Sequence, residues 1–264
     1  MQQKIRIVLV ETSHPGNIGA VARAMKNMCI DELFLVKPKE YPSAVATARA
    51  SGADDVLANA TVCESLESAI EDCQLVVGAS ARLRSVGWPQ LNPRECASLA
   101  NSSQGSVAII FGREDSGLSN AELDKCRYLV HIPTNEAYSS LNIAAAVQVI
   151  CYELFMESCG LNKAARTSST GPIEHELTDE ELNVPLASSK SLEGMFVHME
   201  KTLTSIGFLK PPSCQKLMRR LRRIYNRARL DETDVNILRG VLSAAEGRKY
   251  EWQERKKNNA DDSK

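Results

Sequence analysis

Four short runs, almost wholly apolar, constrain what this chain can fold into: Ile5–Val10 (IRIVLV), Leu33–Val36 (LFLV), Leu75–Gly78 (LVVG) and Val107–Phe111 (VAIIF). Runs with Ile, Val and Leu on both faces suit strands buried on both sides. Between them lie segments of helical character: Ile18–Met28, Ser43–Ala50, Ser65–Cys73, and a helix announced by the capping box Asn92-Pro93-Arg94-Glu95. Strand then helix, repeated, predicts an α/β fold with a mostly parallel sheet and helices on both faces. With 264 residues, 43% of them hydrophobic, the chain is long enough for one large domain or for a core domain with an appendage.

The stretch Val107–Phe155 concentrates the remaining signal. It reads as a strand ending at Gly112, a loop, a short capped helix, a second strand ending at Ile132-Pro133, and a helix opening at Ser139-Ser140. Two strand ends and a helix start, all rich in Gly, Ser and Asn, converge where open α/β sheets bind ligands. Leu141–Met156 is apolar nearly all round, interrupted only by Asn142, Gln148 and Glu153. Such a helix is expected to be buried on several sides, within its own domain or against a second subunit.

Around the first helix, Thr12–Asn17 is turn chemistry, with Asn17 as the expected N-cap. Ile18, Val21, Ala22, Met25 and Met28 form its apolar stripe. Arg23 lies roughly 140° round from Ile18 and points away from that stripe. Pro15-Gly16-Asn17-Ile18-Gly19-Ala20 sits where a dinucleotide fingerprint would, but its first glycine is missing, and Lys37-Pro38 replaces the ribose-binding acid. A turn that lets helix and sheet pack closely is the simpler reading. Ser13-His14 has no supporting acid, and the scattered histidines have no ligand spacing, so neither a nucleophilic pair nor a metal site is expected.

The eight cysteines lie far apart without a C-x-x-C pair, which suits reduced thiols in a cytosol. MQQKIRIVLVE is too soon charged for a signal peptide, and no run of about 18 apolar residues could span a bilayer. A soluble, cytoplasmic protein with no membrane attachment is expected.

Beyond the apolar helix the composition changes. The pattern predicts a catalytic domain over residues 1–157, a Ser/Thr/Gly/Pro-rich linker over 158–187, a small all-α extension over 188–250 and a frayed polar tail over 251–264. Leu192, Met195, Phe196, Met199, Leu203 and Ile206 mark one helix of the extension, closed by Gly207-Phe208. Leu217, Leu221, Ile224, Tyr225 and Ala228 mark a second, and Val235, Leu238, Val241 and Leu242 a third. The net charge of -1 hides a local excess, since Lys210–Arg229 holds eight Lys/Arg and no acid. An acid-free run repels itself, and a polyanion relieves it. Arg219, Arg220, Arg222, Arg223 and Arg227, joined by Arg82 and Arg84 after the third apolar run, are therefore the expected nucleic-acid contacts.

Four blocks in order, Glu11–Met28, Val76–Arg84, Ile109–Leu123 and Ile132–Glu153, resemble the SPOUT class of trefoil-knotted methyltransferases, and within it the bacterial tRNA 2′-O-ribose methyltransferases. The resemblance implies a deep knot formed by the last helix of the catalytic domain, and a homodimer. It also implies S-adenosyl-L-methionine held by Ala79, Ser80, Ala81, Gly112, Ile132, Ser139, Ser140 and Leu141, with alanine at 79 where the family often has threonine. No metal is implied. The implied substrate is a ribose of the tRNA anticodon loop, cytidine or uridine at nucleotide 32. The motif arginine corresponds to Arg23; with a pKa above about 12 it suits an oxyanion or phosphate better than a proton. Asn17, Glu114, Ser140 and Asn142 are its expected neighbours. A knotted RNA-binding protein without catalysis is the alternative.

Overall fold

The first apolar run forms β1 (Ile5–Val10), and its side chains divide between two cores, Ile7 and Leu9 on one face, Val8 and Val10 on the other. The computed structural model describes residues 4–81, 88–135, 137–160, 185–210 and 214–261. The chain divides into two compact units, Met1–Pro185 and Leu186–Lys264.

In the first unit β1 is followed by α1 (Pro15–Asn27), β2 (Glu32–Val36), α2 (Ala44–Ala50), α3 (Asp54–Ala58), β3 (Thr61–Cys63) and α4 (Leu66–Ile70). Then come β4 (Leu75–Ala79), β5 (Gln90–Leu91), α5 (Pro93–Ser102), β6 (Val107–Phe111), α6 (Asn120–Leu123), β7 (Tyr128–Val130) and α7 (Ile143–Ser158). The seven strands form one sheet in the order β3-β2-β1-β6-β4-β7-β5, and every pairing is parallel. The four apolar runs become β1, β2, β4 and β6, as expected. α1, α2, α5 and α7 cover one face, while α4 and the segment Leu118–Cys126 cover the other.

Buried cysteines act here as small apolar groups. Burial pushes the thiols of Cys73, Cys96 and Cys151 up to about 12.

Two helix starts differ from expectation. α1 begins at Pro15, capped by His14, whose Nδ1 accepts from Gly16 N at 3.0 Å. Asn17 is thus inside the first turn and its side chain is free to reach elsewhere. α7 begins at Ile143, capped by Asn142, so Ser139, Ser140 and Leu141 stay in the preceding loop. Gly19 also serves a different contact, because a Cβ there would stand 2.0 Å from Ala46 O of α2. It allows two helices, rather than helix and sheet, to touch through backbone.

α7 is buried along a single stripe: Ile143, Val147, Ile150, Cys151 and Leu154. On its other face Tyr152 is 47% exposed, and Ala145 is open to solvent. Among the described residues the apolar helix is therefore covered on one side only.

The second unit holds α8 (Ser189–Ser205), α9 (Cys214–Arg227) and α10 (Glu232–Asp261) around a core that includes Met195, Phe196, Met199, Leu209, Met218 and Val235. Leu209, not Phe208, is the buried residue after Gly207. The stripe of α9 centres on Met218, which leaves Ile224 49% exposed, and Val241 on α10 is likewise outside. Where a frayed tail is expected past Trp252, α10 continues to Asp261.

Candidate active site

β6, β4 and β7 are neighbours in the sheet, and their C-terminal ends open into a cavity of about 550 Å³. Ala79, Ser80 and Ala81 leave β4, Gly112 leaves β6, Ile132 follows β7, and Ser139, Ser140 and Leu141 precede α7. All eight line this one cavity, together with Asn17, Glu114 and Asn142. Ser80 is held at the rim by its N–H donating to Val130 O at 3.0 Å, and its carbonyl lies 3.1 Å from His131 Nδ1.

The wall beyond β6 is a tight loop. Arg113 N donates to Gly117 O at 3.2 Å and Gly117 N to Arg113 O at 2.9 Å, which closes residues 113–117 on themselves. Gly112 passes so near this loop that a Cβ on it would stand 2.2 Å from Gly117 C. No other residue type fits without moving backbone.

Two acids lock this loop to the one after β1. Glu114, on the β6 side, accepts from Ser13 N at 3.1 Å, Ser13 Oγ at 3.0 Å and Asn17 Nδ2 at 2.9 Å. Glu11, on the β1 side, accepts from Arg113 Nε at 2.9 Å. Arg113 also forks onto Glu122, at 3.1 and 3.0 Å, within the capping box that starts α6. Each loop thus supplies an acid to the other.

These bonds set the charge states. Burial alone would push the Glu114 carboxyl up, but the hydrogen bonds from Asn17 and Ser13 outweigh it and hold the group below the usual carboxylate range. The Arg113 hydrogen bond does the same for Glu11, and Arg113 is raised by both of its acids. Glu114 is therefore an anion whose oxygens are already engaged, suited to orienting neighbours.

Its neighbour Asn17 passes the orientation on. Asn142 Nδ2 donates to Asn17 Oδ1 at 3.2 Å, while Asn142 Oδ1 accepts from Ala144 N at 2.9 Å as the cap of α7. Arg23 stands apart: it is exposed on α1, does not line the cavity, and makes no hydrogen bond or ion pair among the described residues.

The predicted RNA contacts are distributed differently. Arg82 and Arg84 lie outside the described residues. On α9, Arg220 and Arg227 are exposed, and Arg219 and Arg223 are half-buried. Arg222 is bound up inside its own unit, forking onto Glu193 at 2.6 and 2.8 Å and lying 4.5 Å above the Phe196 ring. The clamp of Glu11, Arg113 and Glu122 is the feature that sequence reasoning missed. Only the Ser119–Glu122 capping pattern hinted at part of it.

Comparison with known proteins fits this arrangement. Residues 4–152 match the family model of the SpoU rRNA methylases, and residues 190–259 that of the C-terminal domain of the tRNA methyltransferase TrmJ. The tRNA (cytidine/uridine/adenosine-2′-O-)-methyltransferase TrmJ of Pseudomonas aeruginosa is 48% identical over 246 residues, 92% of this chain and 94% of that protein. The tRNA (cytidine/uridine-2′-O-)-methyltransferase TrmJ of Pectobacterium atrosepticum is 48% identical over 248 residues, 93% of this chain and 98% of the relative. The crystal structure of TrmJ from Z. mobilis ZM4 superposes with a TM-score of 0.77 at 32% identity, covering 91% of this chain and 98% of that one. With both units matched in order and over nearly their full length, the chain belongs to the SpoU methylases and, within them, to the TrmJ tRNA methyltransferases.

Proposed function

We propose that the protein moves the methyl group of S-adenosyl-L-methionine to the ribose 2′-hydroxyl of nucleotide 32, cytidine or uridine, in the anticodon loop of cytoplasmic tRNA. In this reading residues 1–157 carry the catalysis, 158–187 link, 188–250 hold the tRNA, and 251–264 form a polar tail. The observation that carries it is the cavity at three adjacent strand ends, walled by Glu114, Asn17 and Asn142.

The cavity suits that cofactor. Its volume lies inside the ~300–1,000 Å³ span of small-molecule sites. Phe111, Leu118, Ile132 and Leu141 offer apolar surface to a purine, while Ser80, Ser139 and Ser140 offer polar groups. The bare Gly112 lets backbone approach closely. The cofactor, when bound, supplies a methyl group activated by a sulfonium, and the trefoil knot of the family would enclose it.

The chain's own part is alignment and charge. Reaction requires the hydroxyl oxygen in line with the methyl carbon and support for the charge developing on that oxygen. The committed Glu114 positions Asn17, and Asn17 with Asn142 presents a fixed wall beside Ser140. Arg23 supplies the cation, to a phosphate or to the oxyanion. Its place outside the cavity supports a homodimer in which a second copy brings cavity and arginine together, covering the open face of α7 around Tyr152.

Mass spectrometry of unmodified tRNA incubated with the protein and S-adenosyl-L-methionine tests the reading, with one ribose methyl at nucleotide 32 as the expected product. Cofactor binding by calorimetry without methyl gain in any tRNA would leave the non-catalytic RNA-binding alternative instead.

A further inference from the structure

Beside the cavity mouth lies a charged surface that belongs to neither the cavity nor the basic helix. Lys37, at the end of β2, has a left-handed backbone (φ 46°), and its N–H donates to Cys63 O at 3.0 Å. Lys39 is tied through its N–H to Thr12 O at 3.2 Å, in the loop that grips Glu114, and lies near the cavity-lining Asp115, whose carboxyl is held down first by the Ser116 hydroxyl and only last by this lysine. Arg49, on α2, has its Cγ 3.5 Å from where a Gly16 Cβ would stand, one residue from Asn17 of the cavity wall.

All three side chains are exposed, and none makes a hydrogen bond or ion pair among the described residues. The acids around them are mostly occupied. Glu11 is held by Arg113, Glu40 accepts from Ser43 Oγ at 2.7 Å, and Asp115 accepts from Ser116 Oγ at 2.9 Å, while Lys37 and Lys39 act on Glu11, and Lys39 on Asp115, only through space. Cations fixed to a rim by backbone bonds, with few free acids near them, bind anions.

The chemistry of the substrate says which anion. A ribose 2′-hydroxyl sits on the carbon next to the one bearing the 3′-phosphate, so it cannot enter the cavity without phosphates arriving at the mouth. We infer that Lys37, Lys39 and Arg49 form a phosphate-binding lip that grips the RNA backbone flanking the target nucleotide. The inference rests on the RNA reading above and adds a contact surface on the catalytic unit to that of the basic helix.

The test compares the full chain with its triple variant Lys37→Asn, Lys39→Gln, Arg49→Gln; asparagine is chosen at 37 because it tolerates the left-handed backbone. Fluorescence anisotropy with unmodified tRNA over a range of salt is read alongside methyl-transfer kinetics. The lip predicts binding roughly tenfold weaker and a log–log salt slope shallower by about 0.7 per lost contact. The KM for S-adenosyl-L-methionine and the Tm should stay unchanged. Equal tRNA affinity and an equal slope would overturn it. Anisotropy reads the lip whether or not methyl transfer occurs, so failure of the lip and failure of the methyltransferase reading are separate results.

Discussion

Asn142 Nδ2 donates to Asn17 Oδ1 at 3.2 Å across 125 residues of sequence, and the direction of that bond is fixed at both ends. Asn142 Oδ1 takes the N–H of Ala144 at the start of α7, and Asn17 Nδ2 gives to Glu114 Oε1 at 2.9 Å. Every donor points the same way, from a helix N-terminus to a carboxylate. Chains of hydrogen bonds aligned in this way polarise one another.

Asn142→Asp and Asn142→Ala should therefore separate two roles. Aspartate still caps α7 but cannot donate to Asn17, so the Tm should hold while kcat falls at least tenfold. Alanine also loses the cap, about 1 kcal/mol, or a Tm lower by roughly 2–4 °C for a unit of this size. Thermal melts and single-turnover kinetics on the two variants check this.

Gly112→Ala places a methyl group 2.2 Å from Gly117 C, and backbone must give way. Overpacking of this kind costs typically about 1–3 kcal/mol. The shift falls on the cavity wall, so cofactor affinity by calorimetry should drop at least tenfold alongside stability.

The arginines of α9 should not behave alike. Arg220→Gln and Arg227→Gln should each weaken tRNA binding and flatten its salt dependence, by up to about 0.9 per lost phosphate contact. Arg222→Gln breaks the Glu193 fork and the Phe196 contact, so it should lower the Tm with little direct effect on the slope. Anisotropy titrations beside thermal melts distinguish the two classes.

Acid should loosen the cavity wall. Glu11 and Glu114 both have folded values below their unfolded ones. Their contribution is complete above the ordinary carboxylate value of about 4.3 and is lost as pH falls through the lower folded values. Urea midpoints should drop between roughly pH 5 and 3, and Glu114→Gln should reduce that dependence.

Arg23→Ala should abolish methyl transfer and leave cofactor affinity within a few-fold, since Arg23 does not line the cavity. Calorimetry showing a large loss of cofactor affinity would reassign the residue to the cofactor.

The sheet was legible because its central strands are buried on both faces and so are apolar throughout. The two-residue β5 carries no period to read. Helix starts were harder, for a cap is worth only about 1 kcal/mol and several Ser, Asn and His compete for it around positions 14 and 142. Pro15, a favoured first helical residue, was the available signal for His14. The eight residues expected around a cofactor gather at one cavity because strand ends and a helix start are local features. The Arg113 clamp joins residues 102 positions apart, and nothing in the spacing of an arginine and two acids reveals it. On α9 the expected Leu217, Leu221 and Tyr225 do pack on the core, but the stripe also takes in Met218 in place of Ile224, and Arg222, one turn beyond Met218, turns inward with it.

The contact of Gly19 with the Ala46 carbonyl has a mechanical consequence. Side chains can repack, but two backbones in contact leave no soft layer between them. α2, which carries Arg49, and α1, which carries Asn17, thus move as one plate. Loosening that joint with a longer side chain at position 19 would put a hinge between the rim that meets the substrate and the wall that aligns it.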